Sequence, residues 1–327
     1  MDLTAVTLTE LRYLLAVAET GHFGRAAARC FVTQPTLSVQ LKKLEENLGH
    51  RLVERGTKAA RLTPMGELVA QHARAMFEHL NAIGDIARGL GPLLAGELRL
   101  GFIPTLGPYL LPRLLRPLCR KFPDLRLTVV EQLTATLLEL VARHDLDAAL
   151  LALPVDAPGL QQLALFDEPF WLLLPAKDPL ARKGALAERE LQGKALLLLA
   201  EGHCLREQAL SVCQEAGSNP VADFRASTLE TLRHLVAAGF GCTLVPALAV
   251  DRMRETAVVL RPFRPPEPSR RIGMVWRRTY PRAQALVTLG EFIQARLPRR
   301  RVKPLTLSLA DAAGPSQAGS VPGESTA

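Results

Sequence analysis

Apolar residues spaced three and four apart predict three short helices at the start of the chain. The first helix follows a capping box at 7–10, ends before Gly21, and presents the apolar face Leu8, Leu11, Leu15 and Ala18. A second short helix is predicted over 24–30. A third opens at 34–36 with Thr33 as its N-cap, and its buried stripe is Leu37, Leu41, Leu44 and Leu48. A basic hairpin is predicted over 51–63.

The outward face of the third helix is polar, as in a helix-turn-helix, and a plain helical bundle is the alternative that three short helices leave open. In such units the second helix presents short hydrogen-bonding side chains to base edges in the major groove. A hairpin after it can act as a wing that contacts phosphates or the minor groove. The side chains that we expect to contact DNA are Arg25, Gln34, Pro35, Thr36, Ser38, Gln40, Lys42 and, in the wing, Arg55.

A heptad seam predicts a long helix after Thr63-Pro64. Its apolar residues are spaced alternately four and three apart: Val69, Ala73, Met76, Leu80, Ile83, Ala87 and Leu90. This pattern favours a dimeric coiled coil, and a helix packed on its own domain is the alternative. Two-fold pairing would place two recognition helices on successive major grooves of a partly palindromic operator.

Beyond Gly91-Pro92 the pattern changes to alternating strands and helices. Strands are predicted at 98–102, 125–130, 148–153, 170–174, 196–199, 242–245 and 272–276, and helices at 108–120, 135–143, 228–238 and 282–297. This alternation predicts an α/β domain with a mostly parallel sheet. The basic run 299–301 is expected to be a solvated end of the last helix. The chain beyond Lys303 is rich in Ala, Gly, Ser and Pro and is expected to be disordered.

Composition adds weaker constraints. The 327 residues suffice for two or more domains, and 40 Lys plus Arg against 32 Asp plus Glu give a formal charge of +8, compatible with nucleic acid. No signal-type or membrane-length apolar run occurs, so we expect a cytoplasmic protein without a membrane partner. Five cysteines without framework spacing argue against structural disulfides. No spacing suggests a metal, and no cofactor is predicted.

Two cysteines nine residues apart, Cys204 and Cys213, lie in the run GHCLREQALSVC, which is predicted to be helical. A helix would separate their Cα atoms by about 13–14 Å, whereas a disulfide tolerates about 4.4–6.8 Å. The two thiols could therefore bond only if the local structure refolds, as in a redox switch. The alternative is that both are small buried hydrophobes.

Two basic residues flank the first cysteine. His203 and Arg206, when positively charged, could each stabilise a thiolate. His203 could equally be structural, and Arg206 could pair with a carboxylate such as Glu207 or Asp223. The other cysteines, Cys30, Cys119 and Cys242, lie in apolar stretches and are expected to be buried and inert.

The run AAARCFVTQPTLSVQLKKLEENLG resembles the winged helix-turn-helix of LysR-type transcriptional regulators. The resemblance implies a DNA-binding regulator rather than an enzyme, dimeric through its linker helix and assembled as a tetramer. It also implies a two-lobed, periplasmic-binding-protein-like α/β effector domain. The implied boundaries are a winged helix-turn-helix over 1–63, a linker helix over 64–92, a regulatory domain over 96–302 (lobe I 96–166 and 272–302, lobe II 167–271) and a tail over 303–327.

Further runs, including GFIPTLGPYLLP at 101–112 and GHCLREQALSVCQEAG at 202–217, resemble the hydrogen-peroxide-sensing members of that family. This implies a peroxidatic Cys204, a resolving Cys213, and a peroxide pocket lined by Thr105, Thr134, His203 and Arg206. The threonines could instead be simple N-caps. Implied partners are operator DNA, RNA polymerase, and glutaredoxin- or thioredoxin-type reductants. Two other readings stay open: a LysR regulator that responds to a small organic anion, and a thiol peroxidase that carries a DNA-binding domain.

Overall fold

The structure, a computed structural model, describes residues 5–55, 59–87, 94–217, 219–220 and 224–307. The chain divides into two compact units, the first comprising 1–91 with 143–145 and the second 92–142 with 146–327. Within the described residues, no helix is both long enough and apolar enough to cross a membrane.

The first unit begins with the three predicted helices and the predicted hairpin. These are α1 (Leu8–Thr20), α2 (Phe23–Arg29), α3 (Gln34–Leu48), and the antiparallel strands β1 (Val53–Arg55) and β2 (Ala60–Leu62). Two caps form as predicted. Glu10 and Thr7 complete the capping box of α1, and the Thr33 hydroxyl accepts from the Thr36 N–H at the start of α3. These caps satisfy amide groups that the first turn of each helix leaves unpaired.

The long helix α4 (Pro64–Ala87) follows the hairpin. Its predicted seam divides into two parts. Ala73 is buried in the core of the unit and Val69 is half-buried, whereas Met76, Leu80 and Ile83 are exposed on the single chain. An exposed apolar stripe on a helix is what pairing with a second copy would cover. The coiled coil stays a prediction, and the seam position Leu90 lies outside the described residues.

The second unit contains a sheet in which five strands lie in the order β4-β3-β5-β11-β6, and a short further strand also pairs with β6. Its elements are β3 (Gly96–Phe102), α5 (Gly107–Lys121), β4 (Leu125–Glu131), α6 (Thr134–Ala142), β5 (Ala148–Leu153), β6 (Leu160–Pro175), β11 (Ser269–Arg277) and α9 (Ala283–Gln294). Strand β3 runs parallel to β4 and β5, whereas β11 runs antiparallel to β5 and β6. The two-lobed α/β fold class is confirmed.

The prediction of a mostly parallel sheet was wrong. Strand-helix alternation, which produces parallel neighbours, holds only from β3 to β5. Strand β6 follows β5 through the connection 154–159 without a helix, and β11 returns between these two strands antiparallel to both. The pattern predicted only 170–174 of β6, because Asp167, Glu168 and Pro169 interrupt its apolar alternation.

A second, smaller sheet forms around the other half of β6. From Phe170 onward this strand pairs antiparallel with β9 (Thr243–Pro246) and β10 (Val258–Pro262). Around it lie β7 (Ala195–Leu196), α7 (Cys204–Ala216), β8 (Asn219–Pro220) and α8 (Leu229–Ala237). The two halves of β6 thus contribute to two separate apolar clusters.

The end of the described chain differs from the prediction. Helix α9 ends at Gln294, so the basic run 299–301 is not its solvated end. The Arg301 side chain instead forms an ion pair with Asp251 at 2.6 Å and lies over the Trp171 ring. Lys303–Pro304 forms strand β12 against β6, where disorder was predicted to begin, because β6 offers a partner strand there. Residues 308–327 lie outside the described residues.

Candidate thiol site and nucleic-acid interface

The carboxyl ends of β3 and β4 form one edge of the larger sheet. The two strands are in register, with Phe102 opposite Glu131. Thr105 and Thr134 each lie three residues beyond these paired positions. In open α/β sheets, ligands bind beyond the carboxyl ends of the strands. Topology therefore brings both predicted threonines to the edge where a ligand is expected.

Neither threonine hydroxyl caps a helix. Thr105 is 3% exposed, and its hydroxyl oxygen accepts a hydrogen bond from Arg270 Nη1 at 2.7 Å. Thr134 is the first residue of α6, and its hydroxyl oxygen is buried without a hydrogen-bond partner among the described residues. Buried polar atoms are almost always paired, so the Thr134 hydroxyl marks a place where a small polar molecule could bind.

A buried ion pair that the sequence analysis missed supports Thr105. The side chains of Arg270 and Glu168 are both 0% exposed and lie 2.9 Å apart. Arg270 also donates to the Thr105 carbonyl, and Glu168 accepts from the Leu248 N–H at 2.8 Å. The two partners are 102 positions apart in sequence. The sequence feature that could have indicated this ion pair is the presence of charged residues at 167–168 and 270–271, next to apolar strands.

Cys204 is the first residue of α7. Helix N-termini carry unpaired amide groups and a positive dipole end, which stabilise a thiolate. The half-buried Cys204 side chain packs against the core of the larger sheet, although α7 belongs to the smaller lobe. Gly202, at φ +88°, lies so close to Leu133 that an added Cβ would come within 2.9 Å of its Cδ1. The loop leading to Cys204 therefore contacts the residue before Thr134.

The two predicted basic neighbours of Cys204, His203 and Arg206, differ in charge and in hydrogen bonding. Burial lowers the pKa of His203, which is 7% exposed, and so favours the neutral imidazole. The expectation that a positively charged His203 supports the thiolate is therefore not favoured. Arg206 is half-buried, and its Nη1 donates to the Leu199 carbonyl at 3.0 Å. Asp223, a carboxylate considered as its partner, lies outside the described residues.

Helix α7 separates the two cysteines as predicted. It is continuous from Cys204 to Ala216, so the Cα atoms of Cys204 and Cys213 lie about 13–14 Å apart. One turn after Cys204, on the same face, Gln208 has a side-chain Oε1 that is buried without a hydrogen-bond partner among the described residues. Gln208 was not among the predicted site residues, although it lies four positions after Cys204 in the sequence.

The other three cysteines do not all match their prediction. Cys242 is buried, and Cys30 is half-buried with its pKa raised by burial. Cys119 is exposed, contrary to the prediction, because the buried stripe of α5 is Leu110, Leu114 and Leu118 and position 119 lies off that stripe. No group of three or more His, Cys, Asp or Glu suited to a metal ion occurs in the described part of the chain.

The predicted DNA-contacting side chains lie in the first unit. Five of them are exposed, namely Arg25, Gln34, Pro35, Thr36 and Lys42. Ser38 and Gln40 are half-buried, and of Arg55 only the backbone in β1 is described. Arg25 Nη2 donates to the Thr20 carbonyl at 2.6 Å. Three of the exposed residues, Gln34, Pro35 and Thr36, form the first turn of α3, at the end of the helix where helix-turn-helix proteins contact bases.

Comparison with known protein families identifies the class. Residues 8–67 match the bacterial regulatory helix-turn-helix protein family, lysR family, and residues 92–298 match the LysR substrate binding domain. The chain therefore belongs to the LysR family of bacterial transcriptional regulators.

Within that family, the chain is similar to OxyR proteins. It is 42% identical over 294 residues to the DNA-binding transcriptional dual regulator OxyR of Escherichia coli K12, covering 89% of this chain and 96% of the relative. A Cys-to-Asp variant of full-length OxyR from Pseudomonas aeruginosa has a similar structure, with a TM-score of 0.76 and 40% identity over 91% of this chain and 98% of that one. A hydrogen-peroxide-bound Cys-to-Ser variant of OxyR from Corynebacterium glutamicum has a TM-score of 0.64 and 35% identity, covering 89% and 92% of the two chains.

Proposed function

We propose that this LysR-type regulator senses hydrogen peroxide through a reversible Cys204–Cys213 disulfide and controls oxidative-stress genes by binding operator DNA. The observation that carries the proposal is the placement of Cys204 at the N-terminus of α7, directly after a loop that contacts Leu133. Leu133 precedes Thr134, whose buried hydroxyl has no hydrogen-bond partner among the described residues. The Corynebacterium relative with bound hydrogen peroxide supports this choice of ligand.

The first chemical step forms a sulfur–oxygen bond. The Cys204 thiolate attacks one peroxide oxygen, the O–O bond breaks, and the departing hydroxide takes a proton to become water, leaving a sulfenic acid. Because Arg270 donates into the Thr105 oxygen, the hydroxyl hydrogen of Thr105 can point to the departing oxygen. The side-chain oxygens of Thr134 and Gln208, which have no hydrogen-bond partner among the described residues, can accept the two O–H groups of the peroxide.

The second step joins the two cysteines. The Cys213 thiolate attacks the Cys204 sulfur, the sulfur–oxygen bond breaks, and the sulfenic oxygen leaves as hydroxide, which takes a proton from solvent to become water. At least part of α7 must open, because about 13–14 Å of helix separates the two Cα atoms. The disulfide then favours a different packing of the effector domains, which shifts a two-state population. Thiol–disulfide exchange with a glutaredoxin- or thioredoxin-type reductant in the cytoplasm restores the dithiol.

The oxidised state acts on transcription through an assembly of several copies. In the proposal, α4 pairs two chains, a tetramer spans the operator, and the re-spaced DNA-binding units engage RNA polymerase. The exposed apolar residues Met76, Leu80 and Ile83 of α4 support the pairing.

The decisive experiment maps disulfides after a single dose of peroxide. The reduced full-length chain receives one equivalent of hydrogen peroxide per subunit and is digested for non-reducing peptide mass spectrometry. We expect a Cys204–Cys213 linkage within seconds, its loss in Cys204→Ser, and its retention in the matched control Cys119→Ser, which alters an exposed cysteine. Thiols that stay reduced at this dose would contradict the proposal.

Two further results would point to the other readings. Thermal stabilisation by a small organic anion that persists in Cys204→Ser would favour a metabolite-responsive regulator. Sustained peroxide turnover with a thiol reductant would indicate a peroxidase rather than a sensor that reacts once per event.

A further inference from the structure

The two most exposed large apolar side chains of the described residues both lie in the DNA-binding unit. Phe31 is 95% exposed and Val39 is 65% exposed. Isolated exposed apolar residues are common on protein surfaces. These two, however, lie in and just before the helix that carries the predicted base-contacting residues, and the function stated so far uses neither.

Phe31 combines this exposure with an unfavourable backbone. It ends the turn between α2 and α3 at φ +57°, in the left-handed region that bulky residues rarely adopt. Its N–H donates to the Ala28 carbonyl, so the turn itself is well formed. A smaller residue such as Asn would adopt this conformation more readily. Strained backbone held in this way points to a function for the side chain.

Val39 lies on the outward face of α3. The buried stripe of this helix points the other way, and the positions one turn before and after Val39 are exposed. On this face the neighbours of Val39 are Pro35, Thr36, Lys42 and Lys43. Val39 is therefore an apolar spot on a polar, basic surface. The lysine charges complement DNA phosphates and suit a protein partner with an apolar surface less well.

We propose that Val39 and Phe31 contact 5-methyl groups of thymine, which makes them specificity-determining residues for the operator. The inference rests on the proposed function as an operator-binding regulator. The thymine methyl is the apolar group that base pairs present in the major groove, and aliphatic and aromatic side chains recognise it by direct contact. Burial of Val39 and Phe31 against these methyls would remove apolar surface of both partners from water.

The test removes thymine methyls and nothing else. The probe is a duplex selected from random sequence by the reduced full-length chain, with each thymine replaced in turn by deoxyuridine. At the contacted positions, affinity is expected to fall about fourfold per methyl, the equivalent of one buried CH₂ group. Val39→Ala and Phe31→Ala should each abolish this sensitivity at their own position, while Leu68→Ala, at an exposed apolar residue of α4, should retain it.

A further variant separates DNA reading from folding. Phe31→Asn relieves the left-handed backbone, so it should melt at the same or a higher temperature and still lose deoxyuridine sensitivity at the Phe31 position. The inference would be overturned if Val39→Ala and Phe31→Ala kept the full loss of affinity on deoxyuridine substitution. It would also be overturned if the selected site lost no affinity at any deoxyuridine substitution. If the wild-type chain selects no duplex at all, the proposed regulatory function itself is wrong, which is a different outcome.

Discussion

The two sides of the thiol site are built differently. On the side of the larger sheet, Arg270, Glu168 and Thr105 are buried and joined by hydrogen bonds. On the other side, Cys204 and Gln208 lie on α7, and Gln208 has a buried oxygen without a partner among the described residues. Beyond α7, strand β8 contributes two residues of pairing with β7. The first side is fixed by buried side-chain hydrogen bonds, whereas α7 is held through apolar contacts of Leu205, Ala209 and Val212 in the core of the smaller lobe.

This difference matches the two demands of the proposed chemistry. A peroxide molecule must be held in a defined orientation while the thiolate attacks, which requires groups that do not move. The disulfide can then form only if α7 opens. If both sides of the site were rigid, oxidation would stop at the sulfenic acid, because α7 could not open. If neither side were rigid, the peroxide would not be oriented and Cys204 would be oxidised slowly.

The largest effect is expected when the fixed side is broken. Arg270→Met leaves the buried Glu168 carboxyl group without its guanidinium partner, and should lower the free energy of unfolding by about 3–5 kcal/mol. Urea unfolding of the reduced chain measures this loss. The double variant Glu168→Met/Arg270→Met removes both charges and should regain most of the lost stability. A double variant as unstable as the single one would show that the pair is not isolated from other charges.

The double variant also tests whether the buried ion pair affects the rate of Cys204 oxidation. Thr105 then lacks its donor, so Cys204 oxidation by peroxide should be slower even though the fold is restored. Stopped-flow measurement of sulfenic acid formation in a Cys213→Ser background tests this. An unchanged rate would mean that the fixed side contributes stability and no chemistry.

Valine substitutions of Thr134 and Thr105 should differ in their effect on the free energy of unfolding. Thr134→Val removes a buried hydroxyl without a partner among the described residues, so the free energy of unfolding should be unchanged or slightly higher, while peroxide oxidation slows about 10- to 100-fold. Thr105→Val removes the acceptor of Arg270 and should lower the free energy of unfolding by about 1–3 kcal/mol. Denaturation and stopped-flow oxidation, measured on both variants, give the comparison. Equal stability losses would contradict the described hydrogen bonding.

A smaller effect is expected from His203 at acid pH. Burial lowers the His203 pKa in the folded state below its ordinary value of 6.5, so the unfolded chain takes up the proton first. The related stability is fully present above pH 6.5 and is lost as the pH falls through the lower folded pKa, with a slope of at most about 1.4 kcal/mol per pH unit. His203→Gln should weaken this acid dependence, measured as unfolding free energies at pH 7.5 and 5.5. The same slope in both proteins would contradict it.

The smallest effect concerns the smaller lobe, to which α7 belongs. Phe224 and Phe240 form a tilted ring pair with centroids 5.0 Å apart in the smaller lobe, and Phe240 is half exposed. Phe240→Ala should cost about 0.5–1.5 kcal/mol in unfolding free energy and should speed conversion of sulfenic acid to disulfide, because Phe224 anchors the chain that follows α7 and β8. Quenched-flow trapping of the two species measures the step. A slower conversion would show that the ring pair supports the oxidised form instead.

Local patterns predicted the parts of the molecule that depend on neighbours in sequence. The helices of the first unit, their caps, and the equivalent placement of Thr105 and Thr134 after parallel strands follow from apolar spacing and short-range hydrogen bonds. Cys204 and Cys213 were found the same way, because their separation along one helix is set by helical geometry.

Features that depend on distant residues were missed. Arg270 and Glu168 resemble ordinary charged residues until the fold buries them together. The first half of β6 carries charges that only its pairing with β11 explains. Cys119 was assigned to the core from its apolar neighbours, although α5 turns it outward. For the ion pair and for β6 the deciding partner is far away in sequence, where periodicity carries no information, whereas the position of Cys119 off the buried stripe of α5 follows from local helical spacing.

The 16-residue strand β6 also sets the order in which the molecule can be completed during synthesis. Its second half pairs with β9 and β10, which end at Pro262. Its first half pairs with β11, which is synthesised later, begins at Ser269 and contains Arg270. A chain emerging from the ribosome can therefore assemble the sheet of the smaller lobe before the larger sheet closes. Cys204 is therefore synthesised before Arg270, the residue whose guanidinium donates to the Thr105 hydroxyl oxygen in the completed fold.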